Sequence, residues 1–177
     1  MKKLVLVLAI CLCLPALAAA KDFTVRDGMK WGMAKAEVEK AETAMWLGKD
    51  DTTINYNVGL ILGIPARVNY IFTQDDKLAA VEYVITPEQE IEVLAKSYEK
   101  IRNAVASKYG LPVKSDIMYN SMYYYTEWSL DDTVISAKMY GYSNNYSIYV
   151  KYAAKAYAEA LNAESAARVK AEIDKVF

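Results

Sequence analysis

Residues 86–112 read TPEQEIEVLAKSYEKIRNAVASKYGLP, and the parsing of the whole chain turns on them. Pro87 is pre-set for a first helical position, and the Thr86-x-x-Gln89 spacing fits a capping box. Ile91, Leu94, Tyr98, Ile101 and Val105 recur at three- and four-residue steps, which lines them up as one buried stripe. Gly110, able to take a left-handed conformation, and then Pro112 stop the run, so a helix is expected from about Pro87 to Tyr109.

On either side of this helix the period changes from 3.6 to 2. Before it, Ile54-Tyr56-Val58-Leu60, Val68-Tyr70-Phe72 and Val81-Tyr83-Ile85 alternate with polar or small residues, the mark of strands with one buried face. Gln74-Asp75-Asp76-Lys77 supplies a hairpin turn between the second and third. After it come three more runs, Met118 to Ser129, Thr133 to Gly141 and Asn145 to Tyr152, separated by turn residues at Asp131-Asp132 and Ser143-Asn144. A shorter helix is expected over about Ala34 to Leu47, with Val38, Ala41 and Met45 on one side. An Ala-rich third is expected over Ala153 to Phe177, with Tyr157, Leu161, Val169 and Ile173 as its stripe. The expected fold is therefore α+β: an antiparallel sheet with helices on one side, in the order helix, three strands, helix, three strands, C-terminal helix. The repeated order reads as a loose internal duplication.

The first 20 residues have a separate logic. Lys2 and Lys3 precede an apolar run from Leu4 to Leu14, and Pro15, Ala16, Ala18 and Ala20 form a small-residue cleavage zone, the three parts of a secretory signal peptide. The apolar run is shorter than the roughly 20 residues that span a bilayer. Neither Cys11 nor Cys13 follows the small residue that lipid attachment requires, since Ile10 and Leu12 precede them. The expectation is a soluble exported protein, periplasmic or secreted, cleaved near Ala20, with residues 21–177 as a single domain. Cleavage would remove both cysteines and two lysines, leaving 19 basic against 22 acidic residues, and no histidine occurs anywhere. That mild acidity speaks against nucleic acid, whose phosphates call for clustered cations.

Three segments carry a resemblance: Gly28-Met29-Lys30-Trp31-Gly32-Met33 with Glu37-Val38; Gly63 to Phe72 with Lys77-Leu78; and Lys108-Tyr109-Gly110-Leu111-Pro112. Together they resemble a recurrent layout of small exported bacterial proteins of unknown function. In it a W-G turn opens the first helix, a Y-x-F hairpin follows, and a K-Y-G-x-P helix stop precedes a Trp-bearing strand, here ending at Trp128. Ala34 stands where that layout has a capping Ser or Thr, a change worth about 1 kcal/mol of helix stability. More remotely, the helix start and the helix-then-sheet order are similar to the small lipoproteins of outer-membrane barrel assembly and to the beta-lactamase inhibitor protein. The resemblance implies a fold, a compartment and binding rather than catalysis; no functional residue is carried over.

Absent residue types narrow the chemistry. Without imidazole or thiol in the mature chain, the usual general base, thiol nucleophile and zinc or haem ligands are missing, and no phosphate-binding glycine loop or nucleophile elbow occurs. Neither cofactor nor metal is expected. Asp50-Asp51, Asp75-Asp76 and Asp131-Asp132 each fall where a turn is needed, and Asp stabilises turns through its own side chain. Tyrosine is the informative excess. Period two assigns Trp128, Tyr124 and Met122, then Ile135, Ala137 and Met139, then Tyr146, Ile148, Val150 and Tyr152 to the inner face. The opposite face carries Tyr123, Tyr125, Glu127, Ser136, Lys138, Tyr140, Tyr149 and Lys151. Tyrosine combines large apolar area with a hydrogen-bonding tip, as contact surfaces favour.

Tyr123, Tyr125, Glu127, Lys138, Tyr140, Tyr149 and Lys151 are thus the candidate binding residues of a non-catalytic module whose partner is an envelope protein, a peptide or a small ligand. Burial of Tyr123, Tyr125 and Tyr149 beneath the last helix would remove that face. A hydrolase or lyase using carboxylates, or Tyr with Lys, and a structural envelope protein are the alternatives.

Overall fold

A computed structural model describes residue 26 and residues 28–118, 123–142 and 145–176. The export segment 1–20, Lys21, Met122 and the Ser143-Asn144 turn lie outside these residues, as do the side chains of Val169 and Ile173. Along the chain run α1 (Lys35–Ala41), β1 (Met45–Lys49), β2 (Thr53–Ile61), β3 (Ile64–Phe72), β4 (Leu78–Ile85), α2 (Ile91–Tyr109), β5 (Lys114–Met118), β6 (Tyr123–Ser129), β7 (Thr133–Tyr142), β8 (Asn145–Ala154) and α3 (Ala158–Val176). All eight strands form one antiparallel sheet in the order β1-β2-β3-β4-β8-β7-β6-β5. Each half is a helix followed by a four-strand meander, and the last strand of one meander pairs with the last of the other.

The expected α+β layout with three strands in each half is corrected by this sheet: the fold is predominantly β, with four strands per half. The missing strand is in each case an edge. Met45-Trp46-Leu47 extends the helical spacing of Val38 and Ala41, yet α1 stops at Ala41 because the Glu42 carboxylate takes the N–H groups of Thr43 and Ala44 at 2.9 and 2.8 Å. The chain then enters β1, where Met45 is 62 % exposed. On the other edge, Lys114-Ser115-Asp116-Ile117-Met118 has no clean alternation, because an edge strand with few buried positions needs none.

Smaller corrections have local causes. The central helix begins at Ile91 rather than Pro87, and Glu90 caps it without a side-chain bond. Thr86 and Gln89 form no capping box; Gln89 turns instead to β8, accepting the N–H of Tyr146 at 2.6 Å. Ile91, on the first turn, is exposed, while Leu94, Tyr98, Ile101 and Val105 are buried as the stripe requires. Leu60 is exposed because a bulge at Asn57–Gly59 reverses the alternation, with Gly59 at φ +75 and its N–H held by Asn57 Oδ1 at 2.8 Å. Before α3, β8 runs on to Ala154 and a 3-10 turn occupies Lys155–Tyr157. The acidic pairs are turns: Asp50 Oδ1 accepts the Thr52 N–H at 2.9 Å, and Asp132 Oδ1 accepts the Thr133 hydroxyl at 2.8 Å.

Cross-strand partners share a face, which puts both helices on the same side of the sheet. Val38 of α1 packs with Ile54, Val68, Tyr70 and Phe72. Stripe residues of α2 pack with Trp128, Ile135, Ala137, Met139, Ile148 and Val150. Val68 lies opposite Tyr83 and Tyr83 opposite Val150, so the two clusters line one continuous face. Trp31, from the segment before α1, donates its indole N–H to Thr133 Oγ1 at 2.8 Å and ties the first half to β7 of the second.

Candidate functional site

The face turned away from α1 and α2 bears Tyr125, Lys138 and Tyr149 in one row, Glu127 and Lys151 in the next, and Tyr123 and Tyr140 beyond the first. Antiparallel pairing sets Asp116 opposite Tyr125, Tyr125 opposite Lys138, Lys138 opposite Tyr149, and Tyr149 opposite Val84. In the neighbouring row Lys114 faces Glu127, Glu127 faces Ser136, Ser136 faces Lys151, and Lys151 faces Glu82. All seven predicted residues lie on this face, brought together by strands β6, β7 and β8. Sequence reasoning missed Lys114 and Asp116, since β5 was not separated from β6, and passed over Glu82 and Arg67 on the far side.

The rings are organised by their neighbours. Lys114 and Lys138 each place Nζ 5.4 Å from the centroid of the Tyr125 ring. The Tyr125 hydroxyl donates to the Glu127 carboxylate two positions along the strand. Burial and then that carboxylate hold the Tyr125 phenol above the ordinary tyrosine range, so it remains a protonated donor. Tyr140 and Tyr149 stack with centroids 4.4 Å apart and planes 13° from parallel. Tyr123 is 44 % and Tyr140 54 % exposed, whereas Tyr125 and Tyr149 are half-buried against this same cluster.

α3 leaves from the other end of the sheet. Ala154, where β8 ends, pairs with Thr133, seven positions along β7 from Tyr140. In α3, Glu164 accepts the N–H of Gln74 at 3.0 Å, in the turn between β3 and β4. Lys114, Lys138, Lys151 and Arg67 are interleaved with Asp116, Glu127 and Glu82, so the surface offers mixed charge around an aromatic centre rather than one sign of field.

Carboxylate chemistry finds a different situation on the helix side. Glu42 is the one buried acid among the described residues, its side chain fully enclosed. Besides the two backbone N–H groups it receives Arg26 Nε at 3.0 Å and the Tyr70 hydroxyl. Burial alone would raise its pKa, but the donors from Tyr70, Ala44 and Arg26 outweigh burial and leave it below the ordinary carboxylate value. A carboxylate saturated in this way is a structural anchor, not a poised general acid. No group of three or more acids suited to holding a metal ion occurs among the described residues. No described helix is long and apolar enough to cross a membrane.

Neither protein-family models, nor curated proteins, nor solved structures gave a match to this chain.

Proposed function

We propose that this protein is an exported binding module, without catalysis of its own, whose protein or peptide partner docks on the tyrosine-bearing face of the sheet. One observation carries the reading. Both helices that bury the core pack on the opposite face, and Tyr123, Tyr125, Tyr140 and Tyr149 are left bare or half-bare among charged residues. A sheet face solvated on one side ordinarily alternates to short polar residues. Here four aromatic rings and long lysine stems occupy it, and the lysine contacts of Tyr125 and the stacking of Tyr140 on Tyr149 order three of those rings, which reduces the ordering cost of association. Interspersed charges suit a partner surface of mixed polarity. Export rests on the order of charged, apolar and small residues in the first 20 positions.

The test is a photo-activatable crosslinker placed at Ser136, in the middle of the face, in cells whose envelope is then solubilised. A discrete crosslinked species whose yield collapses when Tyr125→Ala and Tyr149→Ala are combined is the expected result. Recovery in the cytoplasmic fraction alone, no crosslinked species, or full yield from the double variant would each sink the reading.

A further inference from the structure

At the junction of the two halves a solvent-open groove lies on the side opposite the tyrosine face. Ile85 and Val150 of the two middle strands are buried with α2, and the space lies beside them, between α2 and the β2–β3 hairpin. The central strands supply the floor, Tyr83 and Ile85 from β4 with Val150 and Tyr152 from β8. α2 supplies one wall through Ile101, Val105 and Lys108, and the tip of the β2–β3 hairpin supplies another through Ile61 and Leu62. The space holds about 360 Å³ and stays open to solvent along much of its boundary.

The hairpin tip is a two-residue turn with positive φ at both Leu62 and Gly63, and one contact ties it to the helix. Leu62 sits at φ 53, the left-handed conformation that such a turn requires. Its carbonyl is bound by Lys100 Nζ of α2 at 2.7 Å, which straps the hairpin tip to the helix. The wall is therefore built before any ligand arrives.

Charge is one-sided in this groove. No carboxylate occurs among its described lining residues, and the charged groups that line it are Arg26 and Lys108. Arg26 is already neutralised by the enclosed Glu42 carboxylate at 3.0 Å. Lys108, 5.0 Å from the Tyr109 ring centroid, is exposed to solvent and brings the remaining positive charge. The rest of the lining is aliphatic side chains and the rings of Tyr83, Tyr109 and Tyr152.

We propose that this groove binds a small amphipathic anion, a carboxylate or sulfonate carried on an apolar body of about ten to seventeen non-hydrogen atoms, a size suited to pockets near the lower end of the usual ligand range. The aliphatic floor and walls take the body, and Lys108 takes the charge at the rim. This site is independent of the tyrosine face, since alternate residues of β4 and β8 serve the two: Tyr83 lines the groove while Val84 pairs with Tyr149 on the other side.

The experiment is a fluorescence titration of the purified protein with anilinonaphthalene sulfonate, followed by displacement with decanoate, decanol and decylammonium. Saturable binding of one dye per chain is expected, with decanoate displacing it at concentrations at least tenfold lower than decanol or decylammonium. Lys108→Glu should weaken decanoate at least tenfold and leave decanol unchanged. Ala104→Trp, which fills the groove from α2, should abolish dye binding while circular dichroism stays native. Tyr125→Ala, on the far face, should leave every value unchanged, so that failure here and failure of the tyrosine face are told apart. Absence of saturable binding, displacement by decylammonium as readily as by decanoate, or full dye binding by folded Ala104→Trp would overturn the proposal.

Discussion

The side-chain amide of Gln89 pairs with the backbone of Tyr146 at both ends, accepting its N–H at 2.6 Å and donating to its carbonyl at 3.2 Å. Gln89 thus imitates a strand residue and extends the ladder beyond the last β4 position paired with β8. The same amide donates to the Pro87 carbonyl at 2.6 Å, which fixes the link between β4 and α2.

Replacing Gln89 with Ala removes these bonds at an exposed site, where each contributes about 0.5–1.5 kcal/mol. The expected signature is local: the Tyr146 amide exchanges with solvent at least tenfold faster, while amides in the middle of β8 keep their protection. Unchanged exchange at Tyr146 would show that the pairing contributes nothing.

Two tryptophans should behave oppositely. Trp128 is 1 % exposed and donates its indole N–H to the Gly110 carbonyl at 3.0 Å, joining β6 to the end of α2. Trp128→Ala should cost about 3–5 kcal/mol, as for other large core truncations. Trp46, on the edge strand β1, is 58 % exposed. Trp46→Phe should alter stability by less than about 0.5 kcal/mol and shift the protein's emission to the blue, because the solvent-facing emitter is lost. Urea unfolding and emission spectra check both.

Acid should unfold the protein through Glu42. Its pKa is lower folded than unfolded, so the stabilisation it gives is complete above the ordinary value of 4.5 and is lost as pH falls through the folded value. A flat melting temperature from pH 7 to about 5 and a decline below it are expected. Glu42→Gln should lower stability at pH 7 by about 2 kcal/mol, since it leaves Arg26 and its neighbours imperfectly paired, and should flatten the acid limb. An acid limb as steep as that of wild type would assign the effect to other groups.

On the open face, Tyr125 and Lys138 should be coupled. A double-mutant cycle on Tyr125→Ala and Lys138→Ala is expected to return about 0.5–1 kcal/mol, the range of exposed cation–ring contacts. Raised salt should leave much of this in place, because ring contact is less screened than an ion pair between exposed charges. A coupling within error of zero would mean that the lysine does not order the ring.

Much of this architecture could be read from local pattern, and what could not was non-local. Leu94, Tyr98, Ile101 and Val105 declare α2 because a helix satisfies its hydrogen bonds within itself. Trp128, Ile135 and Ile148 fix which side of β6, β7 and β8 is inner because the strand period is rigid. β1 and β5 escaped because an edge strand is defined by a partner elsewhere in the chain, and exposed Met45, Trp46 and Leu47 suit the end of an amphipathic helix as well as a strand. Gln89 was misread for a related reason: its spacing from Thr86 fits a cap, but its bonding is decided by where β8 passes. The side chains of the tyrosine face were legible by parity, as was the apolar face that α1 and α2 cover, whereas the way the two halves join through β4 and β8 was not, since it depends on strands distant in sequence.

The pairing of β4 with β8 also bears on how the chain folds. Six of the seven strand pairings in this sheet join strands consecutive in sequence, and only β4–β8 joins distant ones, with Ala80 opposite Ala153. Each meander can therefore zip along its own chain with little loop-closure entropy, an uncommon advantage for a sheet this wide. The rate-limiting event should then be the meeting of two preformed halves. Until they meet, β4 is an open strand whose first four residues, Leu78, Ala79, Ala80 and Val81, carry no charge and whose single charged residue is Glu82, so the interval before that meeting is when the chain is most exposed to aggregation.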